Sequence, residues 1–157
     1  MNLKIKVLSF GKSSGEPYSD DIQRFVKMSR PWATVEFMSL KSTDSSSDPT
    51  GVVLAREAKL IRKYFSSGAT VVTLGEEGKE LTSYEFANVL RKASDESREL
   101  IFVIGSAFGI DPELKKESSF LLSLSRLTFP YKLCKLIFAE QIYRGLSICN
   151  NHPYHKE

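Results

Sequence analysis

Two short runs, the nearly continuous β-branched Ala69–Leu74 (ATVVTL) and the wholly apolar Leu100–Ile104 (LIFVI), carry no charged side chain. A strand with one wet face alternates apolar and polar residues. A near-continuous apolar run of this length fits a strand buried on both faces, as in a parallel sheet covered by helices. The remaining chain supplies matching parts. Leu3, Ile5 and Val7 alternate with Lys4 and Lys6, which predicts a first strand ending near Phe10. Asp20 or Asp21 can cap a helix running to about Arg30, where Pro31 breaks it. Thr34–Leu40 is a second strand, and Gly51–Phe65 has helical periodicity. Gly75–Lys79 (GEEGK) reads as a turn. Ser83 starts a helix to about Ala93, and Asp111-Pro112-Glu113 opens a short one. Leu122–Phe129 alternates as a fifth strand, and Pro130 opens the last helix. Gly11–Ser19 and Ser42–Thr50 read as loops. The expected fold is α/β, a mostly parallel sheet with helices on both faces, forming one domain over residues 1–157.

Composition narrows the function classes. No apolar run reaches the roughly 18 residues that span a bilayer. The opening MNLKIKVLSFGK alternates apolar residues with lysines and does not read as a signal peptide. Cys134 and Cys149 lack CxxC spacing, so reduced thiols in a cytoplasmic protein are expected and no metal site. A net charge of +3 permits a nucleic-acid partner without arguing for one.

In open α/β sheets, ligands bind beyond the carboxyl ends of the strands. Three segments leave such ends: Leu74–Gly78, Ile104–Gly109 and Leu127–Pro130. Glycines in the first two permit close approach of a ligand to the backbone. There is no GxGxxG after the first strand and no GxxxxGK[ST], so a dinucleotide or polyphosphate ligand is disfavoured. A nucleoside-like ligand is the better expectation.

The last helix has apolar residues all round between Lys132 and Ile148, which calls for cover on more than one side, most simply a second subunit. Glu140 and Arg144 are four apart and share a face, as an ordinary helix pair or a charged pair at a subunit seam. Both histidines lie in the tail, with His152, Tyr154, His155 and Lys156 close together. Chain ends usually fray, and by residue type alone a solvated end stays open. Against it, this set could stack on a base and pair with phosphate.

These residues resemble the ribosomal large-subunit methyltransferase H family of the SPOUT superfamily. The likeness runs end to end. It is carried by Glu77-Gly78-Lys79 with Ser83 and Glu85-Phe86-Ala87, by Phe102–Gly105 with Gly109, and by Leu124-Ser125 with Leu127–Pro130. Its most specific parts are Glu140–Arg144 (EQIYR) and Asn151–Lys156 (NHPYHK). The resemblance implies a C-terminal trefoil knot, in which a segment threads a loop against ordinary connection rules. It implies methyl transfer from S-adenosylmethionine to N3 of a pseudouridine in helix 69 of 23S rRNA in the assembled 70S ribosome. It further implies a cytoplasmic homodimer. The implied cofactor residues are Leu74, Gly105, Leu124, Ser125, Arg126, Leu127, Thr128 and Phe129. The implied catalytic residues are His155, Arg144, Glu140 and Tyr154, with His155 or Glu140 as acceptor of the N3 proton. Lys135, Arg144, His152, Tyr154 and Lys156 are the implied RNA contacts. The chain departs from the family pattern at Ala58, Ser106, Tyr131 and Lys135, where glycine, glycine, histidine and arginine are usual. A non-catalytic ribosome-binding module that kept the fold is the alternative. A nucleotide-dependent oxidoreductase is disfavoured by the missing glycine motif.

Overall fold

The structure is a computed structural model that describes residues 1–11, 15–41 and 47–156. Parts of the two expected loops, at 12–14 and 42–46, lie outside the described residues, as does Glu157. The elements are β1 (Leu3–Phe10), α1 (Ser19–Ser29), β2 (Ala33–Leu40), α2 (Thr50–Arg62), β3 (Thr70–Glu80), α3 (Ser83–Asp95), β4 (Leu100–Val103), α4 (Pro112–Glu117), β5 (Phe120–Ser123) and α5 (Tyr131–Cys149). Among the described residues the sheet has five strands, all parallel, in the order β2-β1-β4-β3-β5.

Alternation along the strands divides the core in two. Leu3, Ile5, Val7, Leu100 and Phe102 join Phe86 and Leu90 of α3 and Phe138, Ile142 and Leu146 of α5. On the opposite face Leu8, Phe10, Ile101 and Val103 meet Ala58 and Ile61 of α2 and Leu114 of α4. All four residues of β4 are buried, which is why its sequence does not alternate. Phe138 is fully buried, its ring 4.7 Å from Phe102 and 5.8 Å from Phe86.

Local caps explain several boundaries. Thr82 and Glu85 form a reciprocal capping box at α3. Asp111 accepts from the amides of Glu113 and Leu114, with Pro112 at the first helical position of α4. The expected cap at Asp20 or Asp21 is not used. Helix α1 begins at Ser19, after Tyr18 in a left-handed conformation, and has no side-chain cap.

Two other expectations are corrected. Gly75–Lys79 is not a turn that ends a strand: β3 runs on to Glu80. Leu122 pairs with both Leu74 and Lys79, so Gly75–Gly78 bulge out of the ladder between two pairings. Gly78 lies so close to β5 that an added Cβ would stand 2.7 Å from the Leu122 carbonyl carbon. Nor is Leu122–Phe129 a strand. Strand β5 ends at Ser123, and the rest is irregular. Leu124, Ser125, Leu127 and Phe129 of this run line a cavity, while Arg126 and Thr128 are exposed.

The all-round apolarity of α5 also has an explanation within the chain. The helix packs on the sheet and is flanked by α1 and α3, and none of its residues is fully exposed. Replacing Phe138 by alanine should lower stability by about 3–5 kcal/mol, because the site is ringed by aromatic groups that cannot collapse into the void. Urea unfolding measures this. Leu127→Ala, at a side chain 71% exposed, should stay within about 0.5 kcal/mol of the parent.

Candidate functional site

The β3 bulge and the carboxyl ends of β4 and β5 open into one cavity of about 250 Å³, just below the range usual for small-molecule sites. The β3 bulge supplies Leu74, Gly75, Glu76 and Glu77. The segment after β4 supplies Ile104, Gly105, Ser106, Gly109 and Ile110. The irregular run after β5 supplies Leu124, Ser125, Leu127 and Phe129, and α5 contributes Tyr131 and Cys134 from its first turn. The three strand-end segments singled out in the sequence therefore meet.

Each wall is fixed by local contacts. Gly105 sits against its own loop: an added Cβ would be 2.7 Å from the Gly109 carbonyl oxygen and 2.7 Å from Ile110. Ser106 donates to the buried Glu57 at 2.8 Å and accepts from the Phe108 amide. The serine at a position where glycine is usual thus anchors the loop to α2. Ser123 donates to the Ser125 carbonyl, and the Ser125 hydroxyl accepts from the Leu127 amide, which shapes the turn after β5. Burial pushes the Cys134 thiol up, so it stays protonated in the wall.

Of the eight residues expected at a cofactor, six line the cavity: Leu74, Gly105, Leu124, Ser125, Leu127 and Phe129. Arg126 points elsewhere, 3.4 Å from Glu80, and Thr128 is exposed and does not line it. The sequence reading missed Lys115. From α4 it reaches the bulge and donates to Glu77 at 2.6 Å. That hydrogen bond holds the Glu77 carboxyl below the usual carboxylate range. Among the lining residues the charges are Glu76, Glu77 and Lys115. A net negative rim of this kind suits a ligand with positive charge and not a polyphosphate.

The tail is docked, not loose. Glu140 Oε1 accepts from Arg144 Nη2 at 2.6 Å and from the Tyr154 hydroxyl at 2.9 Å, and Glu140 Oε2 accepts from Gln141. The Arg144 guanidinium lies 5.0 Å from the Tyr154 ring centre, and its Nη1 is 3.1 Å from His155 Nδ1. Tyr143 packs between Trp32 and Tyr154, Trp32 meets the His152 ring, and Tyr84 meets the His155 ring. Four expected catalytic residues thus form one cluster. Burial, then the bond to Glu140, raises the Tyr154 pKa, which keeps its phenol as a donor. His152 and Lys156 are exposed beside the cluster.

Lys135 does not fit the role expected of it. It is 5% exposed and donates to the Phe10 carbonyl at 3.0 Å, and burial pushes its ammonium pKa down. It ties the end of β1 to α5 and has no surface to offer RNA. No group of metal-ligating side chains occurs among the described residues, and no described helix is long and apolar enough to cross a membrane.

A sequence-family profile described as "Predicted SPOUT methyltransferase" matches residues 3–155. The chain belongs to the SPOUT methyltransferase family. Within it, the relatives named "Ribosomal RNA large subunit methyltransferase H" are similar along nearly their whole length. The protein of Caldicellulosiruptor bescii is 35% identical over 97% of this chain and 99% of its own. That of Acholeplasma laidlawii is 36% identical over 98% and 100%. That of Paraburkholderia phymatum is 32% identical over 98% and 99%. SPOUT membership implies a methyl donor of the S-adenosylmethionine type, and the cavity suits one. Leu74, Ile104, Leu124 and Phe129 offer an apolar bed for a nucleoside, and the net negative rim suits a cationic sulfonium.

Tail docking depends on Glu140. In Glu140→Ala, Arg144 and Tyr154 lose their shared acceptor. Amide hydrogen exchange over residues 151–156 should then speed up by about tenfold, the scale of one or two partly screened charge-assisted hydrogen bonds. The sheet amides should keep their protection.

Proposed function

We propose that this chain transfers a methyl group from S-adenosylmethionine to N3 of a pseudouridine in helix 69 of 23S rRNA, in the assembled 70S ribosome. It does so as a cytoplasmic homodimer. The observation that carries the reading is that the chain has both an apolar cavity with a charged rim and a docked cationic and aromatic tail. The names of the relatives supply the substrate class, large-subunit ribosomal RNA.

The cavity walls, Leu74, Gly105, Leu124, Leu127 and Phe129, hold the donor, with Ser125 as a polar contact. Bound there, S-adenosylmethionine supplies an electrophilic methyl carbon on a sulfonium sulfur. The tail positions the acceptor base, and in-line positioning supplies most of the acceleration. Arg144 and Lys156 contact phosphate or carbonyl oxygens, Tyr154 packs on the base, and His152 lies at the RNA edge. Glu140 already holds three donors, so it serves as an anchor and not as a base. A guanidinium only donates, so His155 Nδ1 accepts from Arg144, and the neutral ring carries its proton on Nε2. In that state His155 donates to a base carbonyl, and the N3 proton leaves to water.

Geometry along α5 supports the homodimer. Tyr131 lines the cavity and Arg144 anchors the tail thirteen residues later. At about 1.5 Å of rise per residue that separates them by about 20 Å. Two chains packed so that one tail meets the other's cavity bring the halves together. The reading includes a C-terminal trefoil knot, which rests on SPOUT membership.

The test uses 70S ribosomes lacking the mark, incubated with the protein and S-adenosylmethionine, then mapped by mass spectrometry. One methyl on a helix 69 pseudouridine is expected. Removing residues 151–157 should cut the rate by about 100-fold or more while leaving the chain folded. Methylation at another site sinks the substrate assignment. Ribosome binding without transfer favours the non-catalytic module.

A further inference from the structure

The Glu77–Lys115 pair lies at the mouth of the cavity, and the residues assigned to holding the donor leave it without a role. Both side chains line the cavity, one from the β3 bulge and one from α4. They are partly exposed, at 52% and 33%, which places them at the rim and not in the floor. The bulge is shaped around the carboxylate. An added Cβ at Gly75 would stand 2.8 Å from Glu77 Oε2, so the glycine leaves room for that oxygen to fold back over the chain. Glu77 Oε1 takes the lysine at 2.6 Å. On its other flank α4 is fixed to α2 by the bidentate Arg62–Glu117 contact, so Lys115 projects from a braced helix. A carboxylate and an ammonium thus stand side by side at the opening, with an apolar bed behind them.

We propose that Glu77 and Lys115 form a clasp for the zwitterionic amino-acid end of the methyl donor, Lys115 meeting its carboxylate and Glu77 its ammonium. The inference rests on the donor-binding reading above and adds a selectivity to it. A zwitterion laid against an ion pair of opposite order exchanges one contact for two and leaves no charge unmatched. The clasp selects donors that carry the amino-acid end over nucleosides that lack it.

Titration calorimetry tests this with three probes: S-adenosylmethionine, S-adenosylhomocysteine and 5′-methylthioadenosine, which keeps the nucleoside and lacks the amino-acid end. The wild-type chain is compared with Lys115→Met, Glu77→Gln and the double variant. Each single variant should weaken the first two ligands by about tenfold and methylthioadenosine by less than about twofold. The double variant should lose less than the product of the single losses, because the two groups act on one ligand end. Methylthioadenosine is the folding control, since a variant that merely distorts the cavity weakens all three alike. Equal losses for all three, or none for any, overturn the clasp. A wild-type chain that binds none of them overturns the donor site itself, and the clasp with it.

Discussion

The structure depends on the seating of α5. Phe138, Ile142 and Leu146 pack on the face of the sheet carrying Phe102 and Leu100, and α1 and α3 flank the helix. Gly145 lets α5 approach α3 closely: a Cβ there would lie 2.8 Å from Leu90. This packing does more than fill a core. It sets the first turn of α5 against the strand ends, where Tyr131 and Cys134 complete the cavity. It also presents Glu140 and Arg144 so that the tail can fold back and dock. One helix therefore fixes both candidate regions and the distance between them.

The second constraint is the bulge in β3. Had Gly75–Gly78 stayed in register, their side chains would have alternated across the sheet beside β5. Because Leu74 and Lys79 both pair with Leu122, the four residues between them leave the ladder, and three line the cavity. Gly78 makes this possible by lying against the β5 backbone. The bulge turns an edge of the sheet into one wall of the site and gives that wall its negative charge.

Much of this was legible in the residues because it follows from local rules. The unbroken apolar character of β4, the Asp111-Pro112 start of α4 and the meeting of three strand ends needed only burial, capping and parallel topology. What was not legible depended on partners far along the chain. The GEEGK segment has turn composition, and only its pairing with β5 shows that the strand continues. Lys115 and Glu77 are 38 residues apart, with no local trace of their contact. Lys135 looks like a basic surface group until its hydrogen bond to Phe10 places it inside. The apolar surround of α5 pointed to extra cover, but composition could not say that α1 and α3 supply much of it. The tail was undecided by residue type, and the Glu140, Arg144, Tyr154 and His155 contacts show it docked.

The central claim is that a cavity from one chain works with a docked tail from its partner. Mixed dimers test it most directly. Gly105→Val spoils the cavity and keeps the tail, and removal of residues 151–157 does the reverse. Each variant alone should be inactive on ribosomes. Unfolded and reassembled together in equal amounts, they should recover about a quarter of the wild-type rate, since half the dimers then hold one intact composite site. Failure to recover any activity, with mixed dimers shown to form, would contradict the account.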